Sequence, residues 1–151
     1  MMNRSKSRGT AGESAVVRWL HEKGWPDARR SALHGSADHG DIEVARGFII
    51  EVKVRGNRSS NAALGQPGDA ELEGWLQELE TEMKNAGASY GFLIVKRKGT
   101  TDPGKWWAYV RLGTLVTRMG RLSSVPVCLN ADAMLEIVGR RARNMNWARV
   151  S

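Results

Sequence analysis

The chain has 151 residues, of which 23 are Lys or Arg and 16 are Asp or Glu, so its formal net charge is +7. Its composition is 41% hydrophobic and 26% charged. This length and composition predict one soluble globular domain with a hydrophobic core, and they exclude two ordinary domains or a largely disordered chain. The excess of positive charge favours a polyanionic partner that is bound through phosphate contacts.

The sequence also limits where the protein can be located and what its cysteine can do. No apolar run approaches the roughly 18 residues that a membrane span requires, and no apolar signal-peptide core follows the basic N-terminal residues. We therefore predict a protein without membrane contact, in the cytosol of a bacterium or of a phage-infected host. Cys128 is the single cysteine, which excludes an intramolecular disulfide and a cysteine-rich zinc site.

The N-terminal quarter of the chain is predicted to contain one helix. Residues 1–10 read as a flexible basic arm, and the helix follows over about residues 12–23 with Val16 and Leu20 on its apolar side. Residues 25–40 are polar and rich in turn formers, which is typical of a loop that leads into a strand.

Glu13 has two interpretations. The stretch Thr10-Ala11-Gly12-Glu13 fits a capping box, in which the glutamate bonds back to a free backbone amide at the helix start. Glu13 also has helical spacing to Val16 and Leu20, which directs its carboxylate toward the packed side of the helix, where a carboxylate needs a partner. The spacing leaves both a cap and an active-site ligand open.

Two short strands come next, over residues 41–45 and 48–54, joined through Arg46-Gly47 as an antiparallel hairpin. Alternate residues of a strand share a face, so Glu51 and Lys53 project together while Ile50, Val52 and Val54 project to the other side. The hairpin can return Asp41 beside Glu51 and Lys53. One strand pair is therefore predicted to collect two carboxylates and an ammonium at one place, with an apolar opposite face.

Such a cluster has a specific chemical use. Two adjacent carboxylates repel each other unless a cation lies between them, and Mg²⁺ is a hard cation that takes oxygen ligands. Lys53 would then hold an attacking water or stabilise negative charge that develops at phosphorus. The alternative is an exposed strand face on which Glu51 and Lys53 are simply solvated, since a Glu-x-Lys pattern alone is frequent.

The second half of the chain predicts more of the sheet. A helix over about residues 69–86 carries Glu73, Glu78, Glu80 and Glu82 on a predicted solvated face. Residues 89–96 are apolar on both alternating sets, as in a central strand covered on both faces and reached by a parallel crossover. A basic loop over residues 96–105 and a returning strand over 106–111 follow. A short helix is predicted over residues 112–119, and Asn130 is predicted to cap a last helix over 131–141.

Several loop residues are candidates for contacts with DNA phosphates, with an ordinary solvated loop as the alternative for each group. The basic tail after residue 140 has the same two interpretations. The candidates are Arg30, Ser31, Ser36, Arg55, Arg58, Lys96, Arg97 and Lys98.

These features together resemble the PD-(D/E)XK nuclease superfamily, and among its members the archaeal-type and phage Holliday junction resolvases. The shared features are a helix carboxylate at Glu13, Asp41 at a strand start, the run Glu51-Val52-Lys53, a helical crossover and an apolar strand. The resemblance implies an α/β fold with a restriction-endonuclease-like core, in which a mixed central β-sheet is flanked by helices in the order α-β-β-α-β-β. That core would span residues 11–120, with residues 121–151 as an extension with a short helix and a basic tail.

The resemblance also implies a site and a reaction. Glu13, Asp41, Glu51 and Lys53 would be catalytic, and Asp41, Glu51, Glu13 and the Val52 carbonyl would bind Mg²⁺, with Mn²⁺ as an alternative. The protein would be a homodimeric endodeoxyribonuclease that acts on four-way or other branched DNA in recombination and repair. Gly40-Asp41 stands where the family has Pro-Asp, and the family's loop serine has two candidates here, Ser31 and Ser36.

Two other functions stay open at the level of the sequence. A nuclease with the same fold can act on DNA ends, flaps or duplex sites, since the metal centre does not choose the substrate. A non-catalytic nucleic-acid-binding module is the other alternative. The intact Asp41, Glu51 and Lys53 argue against that module, because carboxylates placed against phosphates weaken binding.

Overall fold

The computed structural model describes residues 4–32, 40–55 and 65–150, with side chains described for residues 8–32, 40–55 and 65–145. This part of the chain contains both helices and strands, and short 3₁₀ helices lie at Pro103–Lys105 and Gly120–Ser124. The elements are α1 (Arg4–Glu22), β1 (Arg29–Arg30), β2 (Ile42–Ala45), β3 (Phe48–Lys53), α2 (Asp69–Ala86), β4 (Tyr90–Val95), β5 (Trp107–Arg111), α3 (Leu112–Leu115), β6 (Pro126–Asn130) and α4 (Ala131–Val150).

The six strands form one sheet in the order β1-β2-β3-β4-β5-β6. β3 and β4 are parallel and are connected through α2, while the other neighbouring pairs are antiparallel. The α/β class, with a mixed sheet flanked by helices, is therefore confirmed. None of the helices in the described ranges is long and apolar enough to cross a membrane.

Each face of the sheet packs against helices. One face forms a core with α1 and α4, in which Ile50 and Val52 of β3 are buried in the same cluster as Leu20 and Met134. The other face packs against α2, where Ile49 meets Leu76. Glu51 and Lys53 alternate with the first set, so they lie on the α2 face, as the strand periodicity predicts. β4 is buried on both faces over Gly91 to Val95, which confirms its prediction as a central strand.

The predicted start of the first helix is wrong. α1 begins already at Arg4, so residues 4–10 belong to the helix and do not form an arm before it. Glycine at position 12 indicates close packing, because a Cβ there would lie 2.4 Å from Cγ2 of Val54. Since Glu13 lies well inside α1, the capping-box interpretation of Glu13 is also wrong.

The C-terminal residues belong to the same core. β6 extends the sheet beside β5, and α4 is a helix of 20 residues, which corrects the predicted short helix in an appended extension. Met134 and Val138 of α4 are fully buried against the sheet. Asn130 does cap this helix, as its Oδ1 accepts a hydrogen bond of 2.8 Å from the Ala133 amide. α3 ends at Leu115, earlier than predicted.

Candidate active site

Asp41 is fixed against the next strand by a backbone hydrogen bond. It lies immediately before β2, where Ile42 pairs with Ile50 of β3. Its Oδ2 accepts a hydrogen bond of 2.8 Å from the Val52 amide. The hairpin ladder stops at this point, so the carboxylate takes the place of a strand partner for that amide. This places Asp41 beside Glu51, as the hairpin predicts.

The chain reaches Asp41 through a glycine with a left-handed backbone. Gly40 has φ of +85°, and a Cβ on it would lie 3.0 Å from Cδ1 of Ile49. Proline holds φ near −65° and cannot adopt this conformation. A proline at position 40 is therefore incompatible with this backbone path to Asp41.

Glu51 is a buried acid. Its side chain is 6% exposed, and its Oε1 lies 3.1 Å from Nζ of Lys53. Its other oxygen, Oε2, is buried and accepts no hydrogen bond from an N–H group within the described residues. Burial raises the pKa of Glu51 to about 8, and so do a hydrogen bond with Glu82 and repulsion from it, while Lys53 opposes the shift. A hydrogen bond between two carboxyl groups requires a proton on one of them.

Asp41 is affected in the same way. Burial raises its pKa to about 7, and the negative charges of Glu51 and Glu13 add to the shift, while the Val52 amide and Lys53 oppose it. Near neutral pH, both carboxyl groups therefore retain a substantial share of their protons when no cation is bound.

Lys53 is held between two carboxylates. Its Nζ lies 2.7 Å from Oε2 of Glu78 and 3.1 Å from Oε1 of Glu51, and it stands 5.9 Å from the centre of the Trp75 ring. Burial disfavours its charged form, but the contacts with Glu78 and Glu51 outweigh burial and raise the pKa of Lys53 above its usual range. Lys53 is therefore a permanent ammonium at neutral pH and cannot serve as a general base.

Glu13 approaches the cluster from α1. Its Oε2 accepts a hydrogen bond of 2.7 Å from Nε of Arg30, and its side chain is 18% exposed. Its charge is close enough to Asp41 to contribute to the raised pKa of that residue. The structure thus brings Glu13 near Asp41, with Arg30 as its partner.

Two glutamates of α2 are part of this cluster, although the sequence predicts them on a solvated face. Glu82 is 5% exposed and contacts Glu51, and Glu78 pairs with Lys53. One signal was available: Glu78 and Glu82 are four residues apart and follow Trp75 at helical spacing, so they share a stripe with a residue of the packed face. The remaining two, Glu73 and Glu80, form ion pairs with Arg111.

The candidate phosphate-contacting residues are distributed around this cluster. Ser31 is adjacent to the cluster, since its amide donates a hydrogen bond of 2.9 Å to the Asp41 carbonyl. Arg55 pairs with Glu71 and stands over the ring of Trp75. Lys96 and Arg97 stand over two further tryptophan rings, and Lys98 is exposed. The other two candidates, Ser36 and Arg58, lie outside the described residues.

The residues present fit a divalent cation only in part. Within the described ranges there is no group of three or more His, Cys, Asp and Glu side chains arranged to hold a metal ion. However, Glu51 offers a buried oxygen without an N–H donor, and Asp41 beside it is also a carboxyl group with a raised pKa. This pair has the oxygen chemistry that Mg²⁺ selects. Ligand roles for Glu13 and for the Val52 carbonyl stay predictions.

The chain matches no protein-family model, no curated protein and no solved structure. Its function must therefore be inferred from the residues and the geometry of the site itself.

Proposed function

We propose that this protein is a metal-dependent DNA endonuclease of the PD-(D/E)XK type, with a restriction-endonuclease-like core, that cuts Holliday junctions or other branched DNA. The observation that carries the proposal is the gathering of Asp41, Glu51 and Lys53 at one end of the β2–β3 hairpin. The opposite face of the same strands is packed into the core. The cluster therefore lies on the α2 face of the sheet.

The unfavourable burial of two neighbouring carboxyl groups supports a bound cation. Glu51 is buried and Asp41 beside it is half-buried; burial raises the pKa of both groups, repulsion from Glu51 adds to the shift at Asp41, and Glu82 adds to the shift at Glu51. Lys53 and the Val52 amide offset only part of this cost, and a cation between the two carboxylates would offset more of it. Asp41 and Glu51 would hold Mg²⁺, with Mn²⁺ as an alternative. A bound Mg²⁺ would stabilise charge on phosphoryl oxygens and lower the pKa of a water molecule.

Lys53 would supply a fixed positive charge at the phosphate. It stays protonated because Glu78 and Glu51 hold its ammonium group. A compact ammonium suits the stabilisation of negative charge in a transition state and the orientation of an attacking water. It would not remove the proton from that water, since its pKa is too high. Glu13 would orient a water of the site from α1.

The substrate and assembly follow from the same proposal. Phosphodiester hydrolysis on a four-way junction needs two symmetric cuts, so a two-fold homodimer is the expected assembly. The net charge of +7 supports a nucleic-acid partner. The cytosol, where DNA and Mg²⁺ are both present, stays the predicted location.

The experiment that tests the proposal compares labelled four-way junction, flap, single-stranded and linear duplex DNA, each with Mg²⁺ or with EDTA. Glu51→Gln is run beside the natural protein, and Glu136→Gln is the matched control because Glu136 pairs with Arg140 on the surface of α4. We expect symmetric nicking of the junction that is lost in EDTA and in Glu51→Gln and kept in Glu136→Gln. Cleavage of every DNA would indicate a nuclease without specificity for junctions. Binding without cutting would indicate a non-catalytic module.

A further inference from the structure

A basic groove runs away from the Lys53 end of β3. β3 and β4 are parallel and end side by side, with Lys53 opposite Val95, so the residues that follow both strands leave the sheet at the same edge. Two adjoining cavities of about 540 and 350 Å³ lie there and share Arg55, Lys96 and Thr101. We name this pair of cavities the α1 groove. It begins at Val54, one residue beyond Lys53.

The α1 groove has cations on both walls. Arg8 and Arg18 of α1 line one side, and Lys96, Arg97 and Lys98 of the turn after β4 line the other, with Arg55 between them. Among the described residues that line it, none carries a carboxylate. Glu71 contacts Arg55 from outside the lining. Such an unbalanced set of cations lowers the free energy of a bound polyanion.

The residues that line the α1 groove suit a sugar–phosphate backbone better than stacked bases. On α1 the groove is lined by Ala11, Gly12 and Ala15, which leave space between the two basic walls. Two of the cations are also held in place by aromatic rings: Lys96 stands 5.7 Å from the centre of the Trp106 ring, and Arg97 stands 4.7 Å from that of Trp107. Trp106, which lines the groove, is buried, so its ring is not offered to stacked bases.

We propose that the α1 groove binds the sugar–phosphate backbone of one nucleic-acid strand, independently of base sequence. A charged groove that follows the backbone is the common way to bind a single strand, and cations on both walls can contact one strand that lies between them. The proposal rests on the proposed function in one respect, because the bound strand is taken to be the continuation of the strand held at Asp41 and Glu51.

The test measures binding of a short fluorescein-labelled oligothymidylate, a mixed-sequence strand of equal length and a blunt duplex, in EDTA so that no cleavage contributes. The groove variant is Arg18→Ala with Lys96→Ala, one exposed residue from each wall. The matched control is Lys84→Ala with Arg121→Ala, which removes the same charge from exposed positions outside the groove. Circular dichroism and thermal unfolding verify that both variants fold.

We expect the groove variant to bind both single strands roughly tenfold more weakly at about 100 mM salt, and the slope of log K against log salt to fall by roughly 1.4. The control should bind like the natural protein. Equal losses in the two variants, or a loss confined to the duplex or to one sequence, would overturn the proposal. If the natural protein cleaves the junction but the groove variant binds single strands as well as the natural protein, the groove proposal fails and the proposed nuclease function stands. If the groove variant binds more weakly but the natural protein cleaves no DNA, the nuclease function fails and the groove proposal stands.

Discussion

Glu51 of β3 and Glu82 of α2 share a hydrogen bond between two carboxyl groups, and each of these residues is 5% exposed. The pairing joins the sheet to the helix that crosses over it. Because the bond needs a proton, Glu82 holds Glu51 in a form that binds a cation poorly. The position of Glu82 therefore affects how readily Glu51 can act as a ligand.

Glu82→Gln should strengthen Mg²⁺ or Mn²⁺ binding several-fold at pH 7. An amide removes the repulsion and donates a hydrogen bond to the Glu51 carboxylate, so the pKa of Glu51 falls. Isothermal titration calorimetry measures the affinity, with Glu136→Gln as the control. Weaker binding in Glu82→Gln would instead identify Glu82 as a ligand.

The stability of the metal-free protein should fall as pH rises from about 4 to about 8. Asp41 and Glu51 have folded-state pKa values of about 7 and about 8, above their ordinary values of 3.8 and 4.5. The folded state thus binds more protons in this window, and the free energy of unfolding decreases as pH rises. Urea unfolding in EDTA at several pH values tests this expectation. Glu51→Gln should flatten the dependence, and an unchanged slope in that variant would contradict the assignment.

Lys53→Met should reduce turnover by roughly 100- to 1000-fold while leaving metal binding in place. The substitution keeps much of the length of the side chain and removes the charge that lies 3.1 Å from Glu51. Single-turnover cleavage gives the rate, and calorimetry gives the metal affinity. Glu78→Gln should cause a smaller loss of turnover, because it loosens the hold on Lys53 without removing its charge. Full activity in Lys53→Met would show that Lys53 does not take part in catalysis.

The parts of the site that depend on local geometry could be predicted from the sequence. The period of two along β3 places Glu51 and Lys53 on one face, and the hairpin returns Asp41 to them. Glu78 and Glu82 share a helical stripe with Trp75, which indicates the packed side of α2. Whether they reach the cluster depends on the angle at which α2 packs on the sheet, which the sequence does not indicate.

The fold shows the same division between local and long-range determinants. α2 follows from its helical periodicity, and β4 follows from a short run that is apolar on both alternating sets. β1 is only two residues long, and β6 alternates between exposed and half-buried residues at the edge of the sheet. These strands depend on pairing with β2 and β5, which no local pattern of the chain indicates. α1 starts earlier than predicted because the capping-box pattern Thr10-Ala11-Gly12-Glu13 indicates a helix start, whereas here Gly12 lies inside the helix and permits close contact with Val54.

Gly40→Ala should destabilise the protein by about 1 to 2 kcal/mol and reduce activity, because it forces an L residue into the left-handed region at φ of +85°. The new Cβ would also lie 3.0 Å from Cδ1 of Ile49, so that side chain must shift slightly as well. Gly40→Pro should be worse, since proline cannot adopt this φ. Gly74→Ala is the control: it lies inside α2 with open space around its Cβ position, and it should stabilise the protein by up to about 1 kcal/mol. Urea unfolding compares the three variants. Unchanged stability and activity in Gly40→Pro would show that the approach to Asp41 does not need the glycine backbone.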